Sequence, residues 1–98
     1  MTKGNNELDK LKPKIVKILK ARGIKKAGIF GSYARGEHKK RSDIDVLIKV
    51  PKSVDLFGFV GIKFELEDSL GRKVDLLSYK GIRPELKKDI LQEEVRII

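Results

Sequence analysis

The run Asp43-Ile44-Asp45-Val46-Leu47-Ile48-Lys49-Val50-Pro51 constrains the fold more than any other part of this chain. Ile44, Val46, Ile48 and Val50 alternate with Asp45, Leu47 and Lys49, the period of a β-strand, and Pro51 ends it because proline lacks the N–H that a ladder needs. A strand over 43–50 projects Asp43 and Asp45 from one face and Ile44 and Val46 from the other.

The flanking segments supply what such a strand packs on. Leu8, Leu11, Ile15, Ile18 and Leu19 recur at helical spacing, with Lys10, Lys12, Lys14, Lys17 and Lys20 mostly outside the apolar face. Pro13 is best placed in a first turn, so the regular helix is expected from about Lys12, and Gly23 stops it. Lys25 to Phe30 reads as a strand feeding the Gly31-Ser32 turn, with a brief helical turn over 34–38. Ser53 or Asp55 can cap a helix to Leu70 that Gly71 closes, Lys73 to Ser78 alternates as a third strand, and Pro84 opens a last helix through about Glu93. The closing Val95-Arg96-Ile97-Ile98 suits either a fourth strand or a frayed helix end. The expected architecture is α/β, a small sheet with helices packed on it, in a single domain over residues 1–98.

Composition narrows the function classes. No apolar run approaches the ~20 residues that span a bilayer, so no membrane association is expected. Cysteine is absent and the opening residues lack the apolar segment of a secretory signal, which suits the cytoplasm. Lys and Arg total 23 against 14 acids, a formal charge of +9. Such a field attracts nucleic acid, nucleotides or an acidic protein; a lysine-rich solvated surface accounts for it equally well.

The chemistry concentrates between Gly31 and Asp75. Adjacent carboxylates at Asp43 and Asp45 repel unless a cation lies between them, and oxygen ligands without His or Cys select a hard ion such as Mg²⁺. Asp75, between Val74 and Leu76, holds the same place in the third strand. If the two strands are neighbours, three carboxylates converge on one patch, the arrangement for two metal ions ~4 Å apart that clamp a phosphoryl transfer. Gly31 lets backbone N–H groups approach a phosphate, Ser32 adds a hydroxyl, and Arg35 and Arg41 offer guanidinium contacts. A Walker A loop is excluded because Glu37 stands where lysine is required. His38 has no second histidine to work with and belongs to the basic connector His38-Lys39-Lys40-Arg41.

Gly31-Ser32, ten intervening residues and then Asp43-Ile44-Asp45-Val46 resemble the signature of the DNA polymerase beta-type nucleotidyltransferase superfamily. The fuller pattern, with Asp75 in Lys73-Val74-Asp75-Leu76-Leu77, resembles its minimal nucleotidyltransferases. That resemblance implies a small mixed sheet backed by helices, ATP as substrate with Mg²⁺, and transfer of AMP to a hydroxyl. Many members are antitoxins that add AMP to a tyrosine of a HEPN-domain toxin, which would be the partner here. Carried over, Gly31 and Ser32 would hold the triphosphate, Asp43 and Asp45 would ligate metal, and Asp75 would complete the site and could deprotonate the acceptor.

Two other classes stand beside this one: a basic nucleic-acid-binding module, and an antitoxin that acts by contact alone. Leu56, Phe57, Phe59, Val60, Ile62, Phe64 and Leu66 exceed one buried stripe, so their helix is either a docking surface or a well-buried core helix. Tyr33 either stacks on a base or packs beside the turn, and Arg72 is most simply a charged helix-end residue.

Overall fold

The computed structural model describes residues 6–36 and 43–98. In chain order the elements are α1 (Asn6–Ala21), β1 (Ala27–Phe30), the short α2 (Ser32–Arg35), β2 (Ile44–Ile48), α3 (Leu56–Leu70), β3 (Val74–Ser78), a 3₁₀ turn at Tyr79–Gly81, α4 (Pro84–Glu93) and β4 (Val95–Arg96). The strands form one mixed sheet in the order β3-β2-β1-β4. β2 and β3 run parallel, joined by α3, while β1 pairs antiparallel with both β2 and β4.

One face of the sheet holds the core. Ala27, Ile29, Ile44, Val46, Ile48 and Val74 meet Leu8, Leu11, Ile15, Ile18 and Leu19 of α1 and Ile62, Leu66 and Leu70 of α3. The buried strand positions are those the alternation places opposite the aspartates. Leu47 is buried as well, so beyond Asp45 the strand is covered on both faces.

α1 extends further than expected, from Asn6, with Pro13 inside it. Proline removes one intrahelical N–H bond there, but Leu8 and Leu11 on the preceding turns are 2% and 5% exposed, and their burial holds the helix together across the defect. α2 likewise begins earlier than the expected 34–38, at Ser32, because Gly31 leaves the strand with φ 75° and turns the chain directly into the helical turn. Residues 37 and 38 of that expected turn lie outside the described residues.

The other boundaries follow local chemistry. Asp55 caps α3, its carboxylate accepting from Gly58 N–H at 2.8 Å, and Gly71 ends it in the left-handed region. Pro84 opens α4 at a first-turn position. The chain terminus is a strand, with Gly28↔Arg96 and Ile29↔Val95 in register, extended by Ile97 N–H donating to Ala27 C=O at 3.0 Å. α3 divides its apolar residues: Ile62, Leu66 and Leu70 are buried, whereas Leu56, Phe57, Val60 and Phe64 are exposed. No described helix is long and apolar enough to cross a membrane.

Candidate active site

The parallel pairing of β2 with β3 puts Asp45 directly opposite Asp75, so both carboxylates leave the same face of the sheet near the start of each strand. Their side chains are close enough to share a hydrogen bond when one of the two carboxyls is protonated. Burial pushes the Asp45 carboxyl up to about 6, reinforced by the charge of Asp75, by that hydrogen bond and by the charge of Asp43, with the Arg35 guanidinium pulling the other way. Asp43 lies exposed just before β2 and acts on Asp45 through charge. Among the described residues no three carboxylate, His or Cys side chains are gathered in ready ligating geometry. What the fold assembles is a carboxyl pair with a third acid beside it, an all-oxygen set of the kind that takes a hard divalent cation and is relieved by one.

β1 brings the turn to the same place. Phe30 pairs with Asp45, so the next residue, Gly31, falls beside the Asp45 side chain. A Cβ built on Gly31 would lie 2.0 Å from Asp45 Oδ2, and the backbone is in the positive-φ region that favours glycine. The Gly-Ser turn and the Asp-x-Asp strand are therefore in direct contact. Ser32 follows as the first residue of α2 and is half-buried.

Arg35, at the end of α2, reaches Glu93 on α4 with Nη1 3.0 Å from Oε1 and 3.1 Å from Oε2. Arg41 lies outside the described residues, as do His38, Lys39 and Lys40. Tyr33 is fully buried in the core cluster, where it packs rather than stacking on a bound base. Its hydroxyl accepts from Arg72, whose guanidinium also lies 5.7 Å from the ring centroid. Arg72 is thus more than a charged helix end: it ties α2 to the approach of β3. Those α2 and β3 elements carry Ser32 and Asp75.

Two residues that sequence reasoning passed over are Glu93 and Glu94. Glu93 also accepts from Gly31 N–H at 3.2 Å. Glu94 lies over Gly28, where an added Cβ would fall 2.0 Å from its Oε2, and accepts from the Tyr79 hydroxyl. Burial raises the Tyr79 phenol well above its ordinary range, helped by the Glu94 hydrogen bond and charge. Neither glutamate has a local motif; both act across more than a dozen residues of chain.

A cavity of about 300 Å³ lies at the other end of the sheet, lined by Lys25, Lys49, Lys52, Tyr79 and Lys80 among others. It contains none of the aspartates. We place the candidate site at the carboxyl pair instead, because charge, burial and the glycine turn meet there.

Comparison with known proteins bears on the fold and the family. The chain is 46% identical over 91 residues to a candidate protein adenylyltransferase of Methanocaldococcus jannaschii, covering 93% of this chain and 98% of that one. The solved structure of a candidate minimal nucleotidyltransferase superposes with a TM-score of 0.78 at 31% identity, covering 90% of each chain. The same fold, at lower identity, occurs in a toxin-antitoxin complex with AMP-PNP (TM-score 0.78, 22% identity, 89% of this chain and 72% of that one). It occurs again in a Shewanella oneidensis complex of a tri-AMPylated HEPN toxin with its MNT antitoxin (TM-score 0.73, 20% identity, 92% and 71%). The family model for the nucleotidyltransferase domain matches residues 12–97, and with the paired aspartates beside the Gly-Ser turn this chain belongs to that family, as a minimal nucleotidyltransferase.

Proposed function

We propose that this chain transfers AMP from ATP to a tyrosine hydroxyl of a HEPN-domain toxin and so serves as that toxin's antitoxin. The pairing of Asp45 with Asp75 against Gly31 carries the proposal, since it joins a carboxyl pair to a turn suited to phosphate. The toxin-antitoxin complexes that share this fold supply the class of acceptor.

Gly31 and Ser32 hold the triphosphate, Gly31 by leaving room for close backbone approach and Ser32 through its hydroxyl. Arg35 adds positive charge beside the phosphates. Asp43, Asp45 and Asp75 are the residues that would hold Mg²⁺, two ions in all, which would supply charge neutralisation for the phosphates and lower the cost of ionising the acceptor. Asp75, exposed at the rim, accepts the acceptor's proton. The acceptor oxygen bonds to the α-phosphorus as the bond from that phosphorus to the bridging oxygen of the β-phosphate breaks. Pyrophosphate leaves.

The test is incubation of the purified chain with α-labelled ATP, Mg²⁺ and a HEPN-domain protein encoded beside it. Label should enter the HEPN protein at tyrosine, and Asp45→Asn should abolish it. Absence of transfer, or transfer undiminished in Asp45→Asn, would refute the proposal; protection of cells by an inactive Asp45→Asn would indicate an antitoxin acting by contact alone.

A further inference from the structure

We infer that Glu93 is a positioning residue of the nucleotide site, which makes the C-terminal segment part of the catalytic apparatus. The inference rests on the roles proposed above for Gly31, Ser32 and Arg35, and adds a residue that no local motif marks.

One carboxylate serves both sides of the phosphate cradle. Glu93 Oε1 accepts from Gly31 N–H at 3.2 Å and from Arg35 Nη1 at 3.0 Å, and Oε2 lies 3.1 Å from the same Nη1. Gly31 leads into α2 and Arg35 closes it, so Glu93 grips the short turn at both ends. A four-residue helical turn has too few internal hydrogen bonds to hold its own geometry. The Glu93 side chain is 29% exposed against 43% for Arg35, and its three contacts are charge-assisted.

Glu93 is itself held. It is the last residue of α4 and is followed by Glu94, which receives the Tyr79 hydroxyl and lies over Gly28, and by β4, which is paired to β1. β1 is the strand that delivers Gly31. Arg35 also bears electrostatically on Asp45. Where Glu93 holds the guanidinium therefore decides how much positive charge the phosphates and the carboxyl pair share.

This predicts a defect in nucleotide binding larger than the defect in turnover. Glu93→Ala should raise the KM for ATP about tenfold, the scale of losing a charge-assisted contact, with kcat changed by a smaller factor. Glu93→Gln, which keeps an acceptor for Gly31 N–H but gives up the ion pair, should fall between Glu93→Ala and the parent. In the nucleotide-free protein the Gly31 amide of Glu93→Ala should exchange with solvent faster, while the amides of β2 stay protected. Arg35→Ala combined with Glu93→Ala should lose less than the sum of the two single variants, because both single variants remove the Arg35–Glu93 pair.

If the parent chain neither binds a non-hydrolysable ATP analogue nor transfers AMP, the proposed function fails and this inference with it. If the parent is active but Glu93→Ala and Glu93→Gln bind the analogue equally well, or more tightly, the positioning role alone is overturned; tighter binding would mean that the carboxylate competes with phosphate. Should Glu93→Ala not fold, Glu93→Gln decides the matter: weaker analogue binding than the parent's supports the positioning role, and binding as tight as the parent's overturns it.

Discussion

The Asp45 carboxylate rests directly against Gly31, so close that a Cβ on Gly31 would lie 2.0 Å from Oδ2 and 3.0 Å from Cγ. A turn that leads into α2 and a strand that begins after the connector are thereby one unit. The absence of a side chain at one residue is what places the carboxyl of the other.

Gly31→Ala tests that contact. At φ 75° and ψ −150° an alanine costs about 1–3 kcal/mol in backbone strain, and its methyl must displace the Asp45 side chain. Denaturant melts should show a stability loss of that order, and AMP transfer should fall by far more than the stability loss explains. Full transfer activity in a folded Gly31→Ala would contradict the contact.

The carboxyl pair makes the metal-free protein sensitive to pH. Asp45 titrates at about 6 in the folded chain against 3.8 in its absence, so in that interval the folded state binds more protons than the unfolded one. Its contribution is present below pH 3.8 and is lost as pH rises through 6. Allowing for solvent screening at the partly buried Asp45 beside the exposed Asp75, the loss is on the order of 1–2 kcal/mol, superposed on other titrations. Asp45→Asn should flatten this part of the stability profile. Mg²⁺ should raise the melting temperature of the parent more at pH 7.5 than at pH 5, and an equal rise at both would count against a cation held by these carboxyls.

Tyr33 separates packing from hydrogen bonding. Tyr33→Phe leaves the ring in the core and removes the acceptor for Arg72, which should cost about 1–2 kcal/mol and leave AMP transfer largely intact. Tyr33→Ala empties a fully buried site and should cost about 3–5 kcal/mol. Thermal denaturation of the pair checks the order; equal losses would show that the hydroxyl, and not the ring, carries the stability.

Arg22 and Glu65 join α1 to α3 with Nη2 2.7 Å from Oε1, yet their side chains are 41% and 43% exposed. Exposed pairs contribute about 0–1 kcal/mol, and salt screens them. Glu65→Ala should therefore lower stability by less than 1 kcal/mol and by less still at high salt. A loss of several kcal/mol would mean that the two helices depend on this pair rather than on the buried cluster that includes Leu19, Ile62 and Leu66.

Much of this molecule is written locally. Strand alternation over 44–48 and 74–78, the Asp55 and Gly71 caps and Pro84 place β2, β3, α3 and α4 near their observed bounds, because period and capping act over a few residues. The Gly-Ser turn and the Asp-x-Asp strand were legible for the same reason, and so was their family resemblance. Local signals could not decide which strands are neighbours. The parallel register that sets Asp45 against Asp75, the insertion of Val95 and Arg96 beside β1, the survival of α1 through Pro13 and the burial of Tyr33 under Arg72 all depend on contacts between distant residues. Glu93 is the clearest case. It stands 62 residues from Gly31 in the chain, and only the closure of the sheet by β4 brings its carboxylate to the turn.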